Sequence, residues 1–171
     1  VWIDVTNRCP ADCAYCDIWK SGKRDMPLDG LLRIIDELAD MGCVRLHLTG
    51  GDPLMRDDIG EIIGRGREKG LLVTLSVREH LVQRRLEALE RADMVFLSFE
   101  GPREVHEGLK GKGSFPLLMD ALDALRERGI AALTTTTLTR RNRDSIPFIV
   151  ETARRHGFVA NFQCLHLSLF H

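Results

Sequence analysis

The chain has 171 residues, 44% hydrophobic and 29% charged, with 24 Lys and Arg against 25 Asp and Glu. That length and balance fit one soluble globular domain with a core of its own. No basic run is long enough to follow a nucleic-acid backbone or lie on a membrane surface, and no apolar run approaches the roughly 20 residues of a membrane span. No charged segment leads into an apolar one as in a secretory leader, so the expected setting is the cytoplasm and the expected partner a small molecule or a protein. Five cysteines, three of them crowded together, suit a reducing compartment and a metal or cluster better than a disulfide framework.

Apolar, β-rich runs begin near Val1, Val44, Leu71, Met94, Ala131 and Phe158 and predict six strands. Residues of helical period lie between them: Leu28, Leu31, Leu32, Ile35 and Leu38; Ile59, Ile62 and Ile63; Val82, Leu86 and Leu89; Phe115, Leu118, Leu122 and Leu125; Ile146, Ile149, Val150 and Ala153. Gly42, Gly70, Gly129 and Gly157 each close a helical segment just before a strand, as C-cap glycines do. Such alternation implies right-handed βαβ crossovers and a parallel sheet, either doubly wound or curled into a full or partial barrel. There is no repeat, linker or low-complexity tract, so residues 1–171 are read as a single domain. The chain opens on Val1 within a strand-like run and stops at "LHLSLFH", an alternating run with no helix after it to cover the sheet edge. The expectation is a domain cut from a longer polypeptide that continues beyond His171.

In parallel α/β architectures ligands sit at the carboxyl ends of the strands, and four such places carry unusual residues. The loop after the first strand, "NRCPADCAYC", holds Cys9, Cys13 and Cys16 at C-x₃-C-x₂-C spacing. "TGGDP" (Thr49 to Pro53) follows the second strand, "SFEG" (Ser98 to Gly101) ends the fourth, and Thr134 to Thr137 run along the fifth. All four would converge on one rim.

A closed structural zinc site wants four ligands, usually as two separated pairs. Candidates for a fourth are weak: Cys43 and Cys164 adjoin apolar runs, where a lone cysteine is usually a small buried hydrophobe, and His47 and His166 lie within strands. An iron–sulfur cubane held by three cysteines explains the count differently, leaving one iron open. A degenerate zinc knuckle and coincidental thiols remain as alternatives, and the rival function is a zinc-binding α/β interaction module without redox activity.

C-x₃-C-x₂-C with Tyr15 before its last cysteine, followed one βα unit later by a Gly-Gly-acid-Pro turn, resembles the radical S-adenosylmethionine superfamily. The resemblance runs from "VTNRCPADCAYC" through "LHLTGGDPLMRDD" and "VFLSFEGPREVHEGLKGKGSF" to "TTTTLTRRN", essentially the whole chain. It implies a partial (β/α)₆, TIM-like barrel that lacks a final helix. It also implies a [4Fe–4S] cluster on Cys9, Cys13 and Cys16, the catalytic and metal-holding residues, whose open iron takes the methionyl amine and carboxylate of S-adenosylmethionine. Reductive cleavage would then yield a 5′-deoxyadenosyl radical that abstracts hydrogen from a substrate.

By the same resemblance Tyr15 lies by the adenine. Thr49, Gly50, Gly51, Asp52 and Pro53 form the turn that meets the methionyl ammonium. Ser98 and Glu100 bond the ribose hydroxyls, with a plain polar strand end as the alternative, and Thr135 and Thr137 line the site. Two positions depart from the family pattern. Asp52 stands where glutamate is commoner, and Lys110 stands where an arginine is usual, leaving Lys110, Arg140, Arg141 and Asn142 as candidates near the methionyl carboxylate. Text of the "GP…H…G…GSF" kind points to the branch with an additional C-terminal cluster or substrate domain (SPASM/twitch-like), acting on peptides or cofactor precursors. The implied electron donor is a flavodoxin or ferredoxin, and the implied enzyme is oxygen-sensitive.

Overall fold

Period-two alternation in six β-rich runs becomes six parallel strands, because each pair is separated by a helical crossover. The computed structural model describes residues 1–22 and 24–165. The strands are β1 (Trp2–Thr6), β2 (Arg45–Gly50), β3 (Leu72–Val77), β4 (Met94–Ser98), β5 (Ala132–Leu138) and β6 (Val159–Cys164). They form one sheet in sequential order with every neighbouring pair parallel. β1 and β6 are its two edges, so the barrel is partial. His166 and the "LHLSLFH" run beyond Leu165 lie outside the described residues.

The helices are α1 (Leu28–Asp40), α2 (Ile59–Glu68), the single turn α3 (Leu86–Leu89), α4 (Arg103–Lys110), α5 (Ser114–Glu127) and α6 (Ile146–Arg155). None among the described residues is long and apolar enough to cross a membrane. One face of the sheet packs on the helices: Leu46, Leu48, Val73, Leu75, Val95, Leu97 and Phe99 share a core with Leu31, Ile35, Ile62, Leu118 and Leu122. The alternate residues, His47, Thr49, Ser76, Phe96, Ser98, Thr135 and Thr137, line a cavity on the other face. A parallel sheet covered on both faces would be apolar on both; polar residues at most of these alternate positions, with Phe96 the exception among those named, mark this face as a site.

Two crossovers differ from the sequence reading. Val82, Leu86 and Leu89 have helical spacing, yet the segment folds as a 3₁₀ turn (Glu79–Arg84) followed by only four α-helical residues. α4 has no apolar stripe to reveal it, since the residues it buries are His106, Leu109 and Lys110.

The turn after β2 shows why glycine stands twice in a row. Gly50 has φ +123°, and a Cβ there would lie 2.1 Å from the Thr6 carbonyl oxygen; a Cβ on Gly51 would lie 2.1 Å from that of Arg8. The two backbones are also bonded directly, Gly51 N–H donating to Thr6 O and Asp52 N–H to Arg8 O, both at 2.8 Å. We expect Gly51→Ala to cost roughly 3 kcal/mol or more, because the obstacle is main chain and cannot rotate away. Gly64→Ala on α2, where a Cβ meets nothing within 4 Å, should stabilise by about 0.5–1 kcal/mol. Urea unfolding of the two variants checks both signs.

Candidate functional site

The cysteine loop leaves the carboxyl end of β1 and is tied at both ends. Asp25 accepts from Thr6 Oγ1 at 2.6 Å and pairs with Arg8 at 2.7 Å. The buried Arg56 holds Asp58 with two bonds and donates to Val5 O (3.1 Å) and Met26 O (3.0 Å). In the middle, Ala14 N–H donates to Leu109 O at 2.9 Å, and Trp19 Nε1 donates to Cys16 O at 3.1 Å. "DIWK" therefore folds back beside the thiols.

A cavity of about 310 Å³ opens over the concave face. Cys9, Cys13, Cys16 and Tyr15 line it from the loop, Thr49, Gly50 and Gly51 from the β2 turn, and Ser98, Thr135 and Thr137 from β4 and β5. Three expected residues stand behind this wall. Asp52 and Pro53 are buried, Asp52 capping the 3₁₀ turn Pro53–Met55 by accepting from Leu54 N–H at 3.0 Å. Glu100 is fully buried, and its carboxylate accepts from Tyr15 Oη (2.7 Å), the Thr137 amide (3.1 Å) and Asn142 Nδ2 (3.2 Å), with Lys110 Nζ at 3.0 Å. Four donors occupy the roughly four acceptor positions of a carboxylate.

The remaining candidates separate clearly. Lys110 is on the cavity wall, whereas Arg140 and Arg141 are exposed and away from it, and Asn142 is buried on Glu100. His47 is satisfied, with Nδ1 2.7 Å from Thr74 Oγ1 and Nε2 2.9 Å from Ser76 Oγ, and burial lowers its pKa. Cys43 is half-buried beside the core, but Cys164 is exposed on the edge strand and not the buried hydrophobe its neighbours suggest.

The sequence reading missed Arg78, Glu79 and His106. Arg78 contacts the Cys13 thiol and donates to Glu79 Oε1 at 2.8 Å and to Lys110 O at 3.2 Å. Extending the β3 alternation Thr74, Ser76 by one step reaches it. His106 accepts from Glu100 N–H at 3.1 Å, and burial pushes it down to about 4, so it is a neutral prop.

The charges settle one another. Burial disfavours the Lys110 ammonium, but Glu100 and Tyr15 outweigh that and lift its pKa above the ordinary range. Burial, with Glu100 alongside, also raises Tyr15, which stays a neutral donor. Glu79 is held down at about 2: against its burial work His80 and Arg78. Burial raises the Cys9 thiol, opposed by the Ala11 amide and Arg78.

Among the described residues no three His, Cys, Asp or Glu side chains converge as a single metal ion requires, and none of the thiols is in a disulfide. Three cysteines sharing a wall suit a multi-iron cluster gripped at separate corners better than one tetrahedral ion. The Gly50–Gly51 main chain lies on the same wall.

The family model described as "Radical SAM superfamily" matches residues 3–153. The PqqA peptide cyclase of Ruegeria pomeroyi is 32% identical over 164 residues, covering 90% of this chain and 43% of that protein. The AdoMet-dependent heme synthase of Nitratidesulfovibrio vulgaris is 30% identical over 168 residues, covering 92% and 45%. The chain thus spans less than half the length of these relatives. Streptococcus suis SuiB bound to S-adenosylmethionine shares the fold at TM-score 0.86 and 16% identity, covering 99% of this chain and 41% of that one.

Two outcomes test the buried polar groups in the iron-free protein. Removing one member of the Lys110–Glu100 pair strands the other, so Lys110→Met should cost roughly 3–5 kcal/mol, and Lys110→Met with Glu100→Gln less than the sum of the single changes; a urea-unfolding cycle reads this. Asp52 Oδ2 is buried without a hydrogen-bond partner, and burial raises its carboxyl to about 6 against the Leu54 amide and Arg78. A raised acid binds its proton more tightly when folded, so its contribution is full below the unfolded pKa and is lost as pH rises through about 6. Asp52→Asn keeps an acceptor for Leu54 and should flatten stability between pH 4 and 6, gaining on the order of 1–3 kcal/mol at pH 7.5.

Proposed function

We propose that this chain, which belongs to the radical SAM superfamily, forms the core in which S-adenosylmethionine is cleaved reductively so that hydrogen can be abstracted from a peptide or a cofactor precursor. The observation that carries this reading is one wall built from three thiols and a Gly-Gly backbone, at the carboxyl ends of parallel strands. When bound, a [4Fe–4S] cluster supplies the electron that breaks the carbon–sulfur bond of S-adenosylmethionine.

In this proposal Cys9, Cys13 and Cys16 hold three irons. Thr49, Gly50 and Gly51 meet the methionyl ammonium through main-chain groups, while Asp52 and Pro53 set the shape of that turn from behind. Lys110 is the partner of the methionyl carboxylate, because it stands on the wall where Arg140 and Arg141 do not. Tyr15 faces the adenine. Ser98, Thr135 and Thr137 face the nucleoside, and Glu100 acts one layer back by fixing Tyr15 and the Thr137 amide. The relatives that cyclise a peptide or synthesise heme support the two substrate classes. A flavodoxin or ferredoxin is the electron donor, and an air-sensitive cluster of this kind suits the cytoplasm.

The thiols give the direct test. After anaerobic reconstitution with iron and sulfide, Cys9→Ala, Cys13→Ala and Cys16→Ala should each lose the cluster and all formation of 5′-deoxyadenosine, whereas Cys43→Ala and Cys164→Ala should keep the iron of the wild type. A colourless protein that binds one zinc tightly, or equal iron loss on changing Cys43, overturns the assignment.

A further inference from the structure

Arg78 immediately follows β3 and is 4% exposed. One arm of its guanidinium, Nη1, contacts Cys13 Sγ. The other, Nη2, is held by Glu79 Oε1 at 2.8 Å and by Lys110 O at 3.2 Å. Its Nε is buried with no hydrogen-bond partner, and the residue is part of the cavity wall. Two fixed acceptors on one arm hold the planar fork so that the opposite arm stays on the thiol, a constraint that a single rotating ammonium would not reproduce.

Resting on the reading that the loop holds a [4Fe–4S] cluster, we propose that Arg78 is a positioning residue that raises the reduction potential of that cluster by keeping a fixed positive charge and N–H donors at the Cys13 sulfur. Reduction adds an electron to an already anionic group. A cation nearby therefore stabilises the reduced state more than the oxidised one, and hydrogen bonds to the sulfurs act in the same direction. Burial keeps salt from screening the effect. Among the neighbouring charges the guanidinium is the one in direct contact with the Cys13 sulfur. Glu79 holds the arm that does not touch Cys13, Lys110 pairs with Glu100 at 3.0 Å, and the further acid acting on Arg78 is the buried Asp52, whose carboxyl burial raises to about 6.

A brace for the loop would use the same contacts, so the test must read potential and iron content separately. In the intact protein, reconstituted anaerobically, Arg78→Gln and Arg78→Lys are compared with wild type by EPR-monitored redox titration. The signal to follow is the one that changes on adding S-adenosylmethionine. Both variants should keep the wild-type iron content. At the wild-type midpoint potential the reduced-to-oxidised ratio should fall roughly tenfold in Arg78→Gln, with Arg78→Lys in between because it keeps the charge without the fork. If Arg78→Gln loses iron, Arg78→Lys carries the comparison. Iron-loaded variants with the wild-type midpoint overturn the proposal, and iron lost from both overturns it in favour of a brace. A wild-type protein that assembles no cluster overturns the proposed function, and this inference with it.

Discussion

The site depends on two backbones lying closer than side chains allow. The carbonyls of Thr6 and Arg8 occupy the space where residues 50 and 51 would carry Cβ atoms, and main-chain bonds close the gap. This contact aims the cysteine loop. It turns the chain leaving β1 across the end of β2, so that the thiols and the Gly-Gly main chain face one cavity. The glycines are thus required from inside the protein, before any ligand approaches. A ligand meets a surface whose depth is already set by the absence of two side chains.

Around that contact lies a layer of buried polar groups contributed by other crossovers. α4 supplies His106 and Lys110, β3 leads into Arg78 and Glu79, and the strand end after β4 supplies Glu100. Each is tied to the cysteine loop or to a neighbour that is: Tyr15 to Glu100, Arg78 to Cys13, Ala14 to Leu109. Buried ion pairs add little net stability compared with apolar packing of the same volume. Their use here is directional, since a hydrogen-bonded pair fixes where a ring or thiol points, and an apolar contact fixes that only loosely.

Most of the architecture was legible because burial and periodicity agree. The six strands alternate, five crossovers separate them, and the glycines at 42, 70, 129 and 157 all take positive φ. Legibility failed where an element buries polar residues. α4 turns His106 and Lys110 inward and shows no apolar stripe, and Arg78 lies one step past the point where the β3 run stops looking like a strand. Ser98 lines the cavity, whereas Glu100, two residues on and past the end of β4, is fully buried, because alternation reports a face and not a depth. Four donors, three of them from side chains or amides remote in sequence, hold it behind the wall. Spacing did mark the three thiols, because their loop is too short to place them far apart.

The ties at the two ends of the cysteine loop have a consequence of another kind. Asp25 and Arg56 fasten the returning segment to Thr6, Arg8 and Val5, so the loop is a closed ring of chain. Ordering a free residue costs about 1–2 kcal/mol in conformational entropy, and a dangling segment would lose that freedom at the moment it wrapped a prosthetic group. In this ring the described ties surrender part of that freedom during folding, so for the proposed cluster site the entropic penalty falls on the global folding equilibrium rather than on the step that loads the prosthetic group.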